Sequence, residues 1–583
     1  MSKRKLNIKQ NFKLLQPYLW KEKKLLSLGL VLMLFVSIAH LIDPLILAHI
    51  VDVSVPNQDL NDMYSYSFFF IALIIISGIA SYTQIIILSK LGLKVITDIK
   101  TKLFSHLMKI SVSFFDNRPV GDFITKVEND SEKVRFLFSE LSIRIIGNLL
   151  FFIGVIIVIT YKSPDVSVWI LLAITVITIS YNYFMRFMSK IFQKVREKYS
   201  SVTAKINEYV QGMHVIQTFH KQDEAINIVE KESADKKKIE TKAAFLEYSV
   251  EGFFLFLIEY FLLILIIILI VPQIFEGTKS IGTLIIFSQY INRIVWPLIQ
   301  LLENVMQIQR SMVSLTRIRE LIELPIEEYY HNELNIESFK HEIEFKNVWF
   351  AYEGENWILK DVSFKVRKGE KVALVGPSGS GKTTTISLIC GFYKNQKGEI
   401  LIDGIPLDQI NIKQWRRKLG LILQEVILFP GNVIENVRIY DDSISTDRVM
   451  ESIKMVHAEK FFEVDSLQNI IAERGQNISQ GEKQLLSFAR ALTFNPDIVI
   501  MDEATSSIDT VTEKKIQDSM LRVLSGKTAL IVAHRLSSII DADNIIYFKD
   551  GQIKNQGTHL ELMEISADYQ NLVNLQYMGG HNE

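Results

Sequence analysis

Gly376-Pro-Ser-Gly-Ser-Gly381-Lys382-Thr383 decides how the second half of this chain folds. The stretch fits G-x-x-x-x-G-K-[ST]; it follows a strand-length apolar run, Val372–Val375, and opens a helical pattern from Thr384. Glycines let successive backbone N–H groups turn inward on an anion, and the first turn of the helix adds its positive end. The pattern predicts a loop that cradles nucleotide phosphates, with Gly376, Pro377, Ser378, Gly379, Ser380, Gly381, Lys382, Thr383 and Thr384 as its contacts. Lys382 is spaced to reach the β and γ oxygens, and Thr383 to ligate Mg²⁺.

Outward from this loop, apolar runs at Lys371–Val375, Leu419–Leu423, Ile498–Met501 and Thr528–Ala533 alternate with helical patterns. That alternation predicts a mostly parallel α/β sheet. The run Ile498-Val-Ile-Met-Asp502-Glu503 ends in two carboxylates. A buried strand ending this way puts Asp502 near a Mg²⁺ ion and Glu503 where it polarises a water as general base. ATP and Mg²⁺ are the implied cofactors. The single cysteine, Cys390, excludes an internal disulfide framework and multi-cysteine metal sites. It reads as a small buried hydrophobe in the helix after the loop.

The first half is of another kind. Of 583 residues, 48% are hydrophobic and 22% charged, with a net charge of −1; mean hydropathy is +0.19. The apolar surplus lies almost wholly before residue 305, in six stretches at about 25–50, 68–88, 141–161, 166–187, 252–271 and 281–302. A bilayer span needs about 20 apolar residues. One such stretch could be a buried core helix; six in succession are a membrane domain. The first is about twice as long as a leader's apolar region, so it reads as a span and not as a cleaved signal. No cysteine peptidase domain precedes it, so leader-peptide processing is not expected.

Charge fixes orientation. Residues 1–24 hold Lys3, Arg4, Lys5, Lys9, Lys13, Lys21, Lys23 and Lys24, whereas 51–67 has no Lys or Arg but holds Asp52, Asp59 and Asp62. This bias predicts a multi-pass protein of the cell membrane with both termini and the soluble half cytoplasmic. The inner loops, about 89–140 and 188–251, are rich in Lys and Arg and have helical periodicity. Helix of that length carries the spans on the order of tens of ångströms into the cytoplasm. The near-zero net charge and the lack of a basic groove argue against nucleic acid as a partner.

With its further motifs the chain resembles an ABC exporter half-transporter, six membrane helices fused to one ATP-binding cassette. The resemblance covers essentially the full length. In the second half it rests on the phosphate loop, Gln424 in Leu-Ile-Leu-Gln-Glu, Ile478-Ser479-Gln480-Gly481-Glu482, Asp502-Glu503, Ser506-Ser-Ile-Asp509, and His534 in Ala-His-Arg. It implies a multidomain fold: an all-α membrane domain of six long transmembrane helices, and an α/β P-loop cassette with a helical signature subdomain. The implied limits are 1–320 for the membrane domain, 321–340 for a linker and 341–583 for the cassette.

The same resemblance implies roles. Tyr352, in Phe350-Ala-Tyr352, stacks on adenine. Glu503, His534 and Gln424 form the catalytic set, and Thr383, Gln424 and Asp502 surround Mg²⁺. Asp509 couples two cassettes, while Ser479, Gln480, Gly481 and Glu482 face the ATP of a partner chain. Phe114-Phe115-Asp116-Asn-Arg-Pro119-Val-Gly121-Asp122 with Asn129-Asp130, and Glu208 to Phe219, resemble the family's two inner turns that dock on cassettes. Trp296-Pro297 fits its sixth span.

Departures from the family pattern are informative. The usual signature is Leu-Ser-Gly-Gly-Gln; here Gln480 and Glu482 replace the first Gly and the last Gln. Gln480 puts a side chain close to a triphosphate, and Glu482 is the milder change. Asn469-Ile-Ile-Ala-Glu473-Arg-Gly replaces most of Thr-Glu-Val-Gly-Glu-Arg-Gly. These changes favour a heterodimer with a second half-transporter chain over a homodimer exporting lipid or peptide.

Ionisable residues within spans are functional candidates by default: His40, Asp43, Glu259 and Arg293. Acids near mid-membrane favour small cationic amphipathic cargo. The bland alternative has Asp43 facing water at the outer mouth and Glu259 pairing with Arg293. The expected activity is ATP-hydrolysis-driven export of a hydrophobic or amphipathic, drug-like or lipid-like substrate across the lipid bilayer by alternating access. An ATP-gated channel or sensor is the second reading, opposed by intact Glu503 and His534. The spans oppose a soluble ATPase.

Overall fold

A computed structural model describes residues 8–116, 120–137, 142–249, 255–327, 334–458, 470–502, 510–533 and 540–579. The chain forms two compact units, Met1–Leu107 with Val120–Glu323, and Met108–Pro119 with Leu324–Glu583.

The first unit is helical. It begins with α1 (Ile8–Lys21), α2 (Lys23–His49) and α3 (Leu60–Leu107). After α4 (Val112–Asp116), which belongs to the second unit, short helices at Val120–Thr125 and Ser131–Phe136 lead to α5 (Ser142–Lys162). Then come α6 (Pro164–Gln211), α7 (Met213–Thr218), α8 (Gln222–Tyr248), α9 (Leu255–Phe275) and α10 (Ile281–Ile322). Helices α3 and α6 have 48 residues each, roughly 70 Å at 1.5 Å per residue. That is more than twice the hydrocarbon thickness of about 30 Å.

Among the described residues, five helices are long and apolar enough to cross a membrane: Lys23–Ser54, Leu60–Leu107, Ile145–Lys162, Pro164–Gln211 and Phe256–Phe275. The sixth expected span lies in α10, which is helical throughout but interrupts its apolar run with Gln289, Asn292 and Arg293. Its buried stripe survives at helical spacing: Phe287, Tyr290, Ile291 and Ile294 pack with Ile159 of α5, Ile170 and Ile174 of α6, and Ile266 and Ile270 of α9. The N-cap hydroxyl of Ser280 accepts from Thr283 N, and the Asp52 carboxylate accepts from Gly282 N at 2.7 Å. An acid at this helix start also answers the dipole.

Elsewhere in this unit, Asp130 is fully buried. It accepts from Ser314 Oγ at 2.8 Å and faces Arg317 at 3.5 Å and Lys133 at 3.4 Å. The segment around Asp130 and α10 are thereby tied through a buried carboxylate.

The second unit contains two sheets. The antiparallel one has the order β2-β1-β4-β5, built from β1 (Glu342–Phe350), β2 (Leu359–Arg367), β4 (Lys397–Ile402) and β5 (Ile405–Pro406). The other has the order β10-β9-β3-β8-β7-β6: β3 (Lys371–Val375), β6 (Leu419–Ile422), β7 (Ile498–Asp502), β8 (Thr528–Val532), β9 (Asn544–Lys549) and β10 (Gln552–Gly557). All its pairings are parallel except β9 with β10. Strands β7 and β8 are buried at every position, which is why they read as unbroken apolar runs. Helix α11 (Lys382–Ile389) follows β3. Helix α12 (Gln480–Thr493) packs Leu485 and Phe488 with Val433, Val437, Val449 and Ile453 of two preceding helices, forming a helical subdomain.

Candidate functional site

Strands β3 and β7 both pair with β8, and their C-terminal ends lie level: Leu374 and Asp502 are both opposite Val532. The loop after β3 therefore meets the acid that ends β7. Gly376 has φ +151°, and a Cβ there would sit 2.1 Å from Phe548 O; at Gly381, φ +107°, it would sit 2.5 Å from Leu359 Cδ2. Only glycine fits either position. Gly381 is the N-cap of α11, so the loop ends on a helix start.

The polar side chains of this loop converge. Lys382 is 5% exposed, and its Nζ donates to Gly376 O at 2.7 Å and Pro377 O at 2.9 Å. Burial pushes its pKa down, while the Asp502 carboxylate pulls it back up. Thr383 Oγ1 donates to Asp502 Oδ2 at 3.2 Å. Ser380 Oγ is buried and has no hydrogen-bond partner among the described residues. An orphaned hydroxyl, a buried cation and a helix start in one loop fit a polyphosphate. Thr383 and Asp502 would hold a Mg²⁺ ion beside it. Among the described residues no group of three or more His, Cys, Asp or Glu forms a metal cage, which suits an ion held largely by phosphates and water.

Tyr352 lies beside the loop. Its ring is 46% exposed, available for stacking, and its hydroxyl lies 3.1 Å from Thr384 Oγ1. Tyr393 backs it edge-on, with ring centroids 5.0 Å apart and planes at 87°. The Tyr393 hydroxyl donates to Asp116 of α4. Burial and then that carboxylate raise the Tyr393 pKa. Nearby, Arg416 makes a bidentate pair with the buried Glu327 at 2.6 and 3.1 Å and lies over Phe392. Gln424 is exposed just after β6. Glu503, Asp509 and His534 lie outside the described residues. Cys390 is buried, and burial pushes its thiol up to about 12, so it acts as packing.

The signature segment folds as a capping box at the start of α12. Ser479 Oγ accepts from Glu482 N at 3.3 Å, Ser479 N donates to Glu482 Oε2 at 2.8 Å, and Ser479 Oγ donates to the same oxygen at 2.8 Å. Gln480 is exposed in the first turn. Glu482 thus brings a carboxylate onto the signature serine.

Residues 26–298 match the family of ABC transporter transmembrane regions, and residues 359–506 match the ABC transporter family. The chain is 32% identical over 572 residues to the uncharacterized ABC transporter ATP-binding protein YknV of Bacillus subtilis, covering 96% of this chain and 93% of that one. It is 31% identical over 508 residues to the probable multidrug resistance ABC transporter ATP-binding/permease protein YheH of the same species, covering 86% and 75%. It is 30% identical over 510 residues to the ATP-dependent lipid A-core flippase of Desulfotalea psychrophila, covering 87% and 89%. The chain belongs to the ABC transporters. Like other half-transporters of the exporter type it couples ATP turnover to transport, works as a dimer and is a multi-pass membrane protein.

The membrane charges of this transporter differ from expectation. Arg293 does not pair with Glu259; its Nη1 donates to Asp43 Oδ2 at 3.0 Å and to His40 O at 3.2 Å. Asp43 is largely covered, with 12% of its side chain exposed. His40 Nδ1 is 3.6 Å from the same carboxylate oxygen. The reason is local. Pro44 has no N–H, so the carbonyl four residues earlier, His40 O, loses its helical partner; Arg293 takes it. Tyr290 Oη donates to Leu41 O at 2.6 Å beside it. Sequence reasoning passed over Pro44, Tyr393 and the Ser479–Glu482 contact. A proline inside an apolar span was the signal for the first; the other two need the folded chain.

Proposed function

We propose that this ABC transporter exports a hydrophobic or amphipathic, drug-like or lipid-like substrate by alternating access. ATP and Mg²⁺ bind at the phosphate loop, with Glu503 as general base, His534 and Gln424 ordering the water, and Tyr352 under the adenine. The termini and cassette face the cytoplasm. The observation that carries this reading is the Thr383–Asp502 contact at 3.2 Å beside a buried Lys382, in a chain that also holds five membrane-length apolar helices. Relatives whose names describe multidrug export and lipid flipping support the cargo class.

This chain works as one half of a heterodimer. The altered signature supports that: Gln480 adds bulk, and Glu482 sets a negative charge against Ser479, where the partner's γ-phosphate would approach. The site completed by this signature then turns over poorly, while the site built on Glu503 carries hydrolysis. The test is ATPase activity of the purified full-length chain in proteoliposomes, alone and with candidate partner half-transporters. Strong turnover by the chain alone overturns the heterodimer; no ATP-dependent movement of any amphiphile by any pairing overturns export.

A further inference from the structure

Between α2, α3, α5 and α10 lies a cavity of about 560 Å³, the size of a small-molecule site. It falls within the apolar stretches of all four helices, and charged and amide side chains are set into its largely apolar wall. Asp43, Arg293 and His40 line it together with the amides of Gln84, Asn148 and Asn292. Gln84 is 4% exposed and lines the cavity from α3. Polar and ionisable groups set within membrane spans are costly and mark sites of function.

We infer that this cavity receives the zwitterionic headgroup of an amphiphile, one carrying an anionic and a cationic group with no net charge. The inference rests on the export reading and names its cargo. The wall holds one carboxylate and one guanidinium, 3.0 Å apart. A lone cation drawn to Asp43 would leave Arg293 uncompensated in the membrane, and a lone anion drawn to Arg293 would do the same to Asp43. A zwitterion adds one charge of each sign and keeps both satisfied. The pair has room for it. Asp43 uses Oδ2 for both Arg293 and His40, and Arg293 uses Nη1 for both of its bonds. Among the described residues, Asp43 Oδ1 and the remaining guanidinium nitrogens are left for a ligand. Gln84 and Asn148 add donors and acceptors, while Met33, Val36 and Phe151 give the apolar body a surface. The cationic cargo expected from the acids alone is disfavoured, because the acid is already neutralised.

The experiment uses the full-length transporter in nanodiscs and proteoliposomes. Three probes share one fluorescent acyl tail and differ in headgroup: phosphocholine, trimethylammonium or phosphate. Binding is read by fluorescence anisotropy, and ATP-dependent movement by protection from an aqueous quencher. The expected result is at least tenfold tighter binding of the phosphocholine probe. Asp43→Asn shifts preference toward the phosphate probe, Arg293→Gln shifts it toward the trimethylammonium probe, and the exchange Asp43→Arg with Arg293→Asp restores the phosphocholine preference. Equal or tighter binding of either singly charged probe, or a headgroup order unmoved by both single variants, overturns the inference. The expected binding order without ATP-dependent movement overturns the export reading and leaves the site. A variant that elutes as aggregate is replaced by Gln84→Leu, for which phosphocholine binding falls severalfold; unchanged binding there counts against the cavity.

Discussion

The phosphate loop and the membrane cavity each hold a cation near an aspartate, and they do so by opposite means. Lys382 is held by carbonyls five and six residues away in its own loop. Arg293 is held by an aspartate 250 residues away on another helix. The loop's geometry is written into glycines and a helix start. The cavity's geometry exists only after α2 and α10 have packed. A cation of the first kind is positioned by the backbone, and its removal damages chemistry. A cation of the second kind is positioned by its partner, and its removal damages packing.

The sharpest way to break that contrast is Lys382→Ala. Removing one preorganised donor from a transition-state site lowers turnover by on the order of 10²–10³. Burial already works against this charge, so thermal stability of the protein without nucleotide is expected to hold or rise. ATPase assays and thermal unfolding of the same preparation measure both. A large stability loss would place Lys382 with Arg293 as a structural cation.

Next comes Arg293→Ala. It strands Asp43, 12% exposed, and uncovers the His40 carbonyl that Pro44 freed. The expected loss is about 3 kcal/mol, the low end for a broken buried pair because the Arg293 side chain keeps 35% exposure. The double change Asp43→Leu with Arg293→Leu is expected to lose less than the single one. Detergent-solubilised thermal shifts over the full cycle decide it; additive losses would mean that no pair exists.

The contrast also explains what the sequence makes legible. Spans, strand alternation, phosphate loop and signature are each local patterns, carried by side-chain period or by glycines that no other residue can replace, as at Gly376 and Gly381. The Thr383–Asp502 contact was within reach as well, because two parallel strands ending level on β8 bring their loops together. The Asp43–Arg293 pair was not. Periodicity places both residues in spans but not on facing sides, and Glu259 was the partner expected for Arg293. Tyr393 and Glu482 stayed hidden for a similar reason. A tyrosine after a helix and a glutamate in its first turn are ordinary until a ring and a hydroxyl are found against them.

A smaller effect is expected at Glu482. Glutamine completes a capping box as well as glutamate, so Glu482→Gln keeps the α12 start while removing the charge at Ser479. Repulsion of a γ-phosphate received at Ser479, screened as near a protein surface, corresponds to about three- to tenfold in rate. The assembled dimer should therefore hydrolyse ATP faster by that factor, without a change in unfolding temperature. Unaltered turnover would assign the weak site to Gln480 alone.

The smallest effect tests whether the local site is as self-contained as the contrast claims. Tyr393 braces Tyr352 edge-on and hydrogen-bonds Asp116, so the aromatic proposed to lie under adenine is steadied by a residue from the segment between α3 and α5. Tyr393→Phe keeps the ring contact, worth about 0.5–1.5 kcal/mol, and deletes only the hydroxyl. One neutral-to-charged hydrogen bond at a partly exposed position is worth about 1 kcal/mol, and only part of it reaches Tyr352. The expected change is about a two- to threefold rise in KM for ATP with kcat little altered. Asp116→Asn, which still accepts from the phenol, should stay near the parent, and Asp116→Ala should match Tyr393→Phe. If Tyr393→Phe and Asp116→Ala raise KM independently, the hydroxyl is not the link; if neither moves it, Tyr352 is held by its own hydroxyl at Thr384 and the nucleotide site is local throughout.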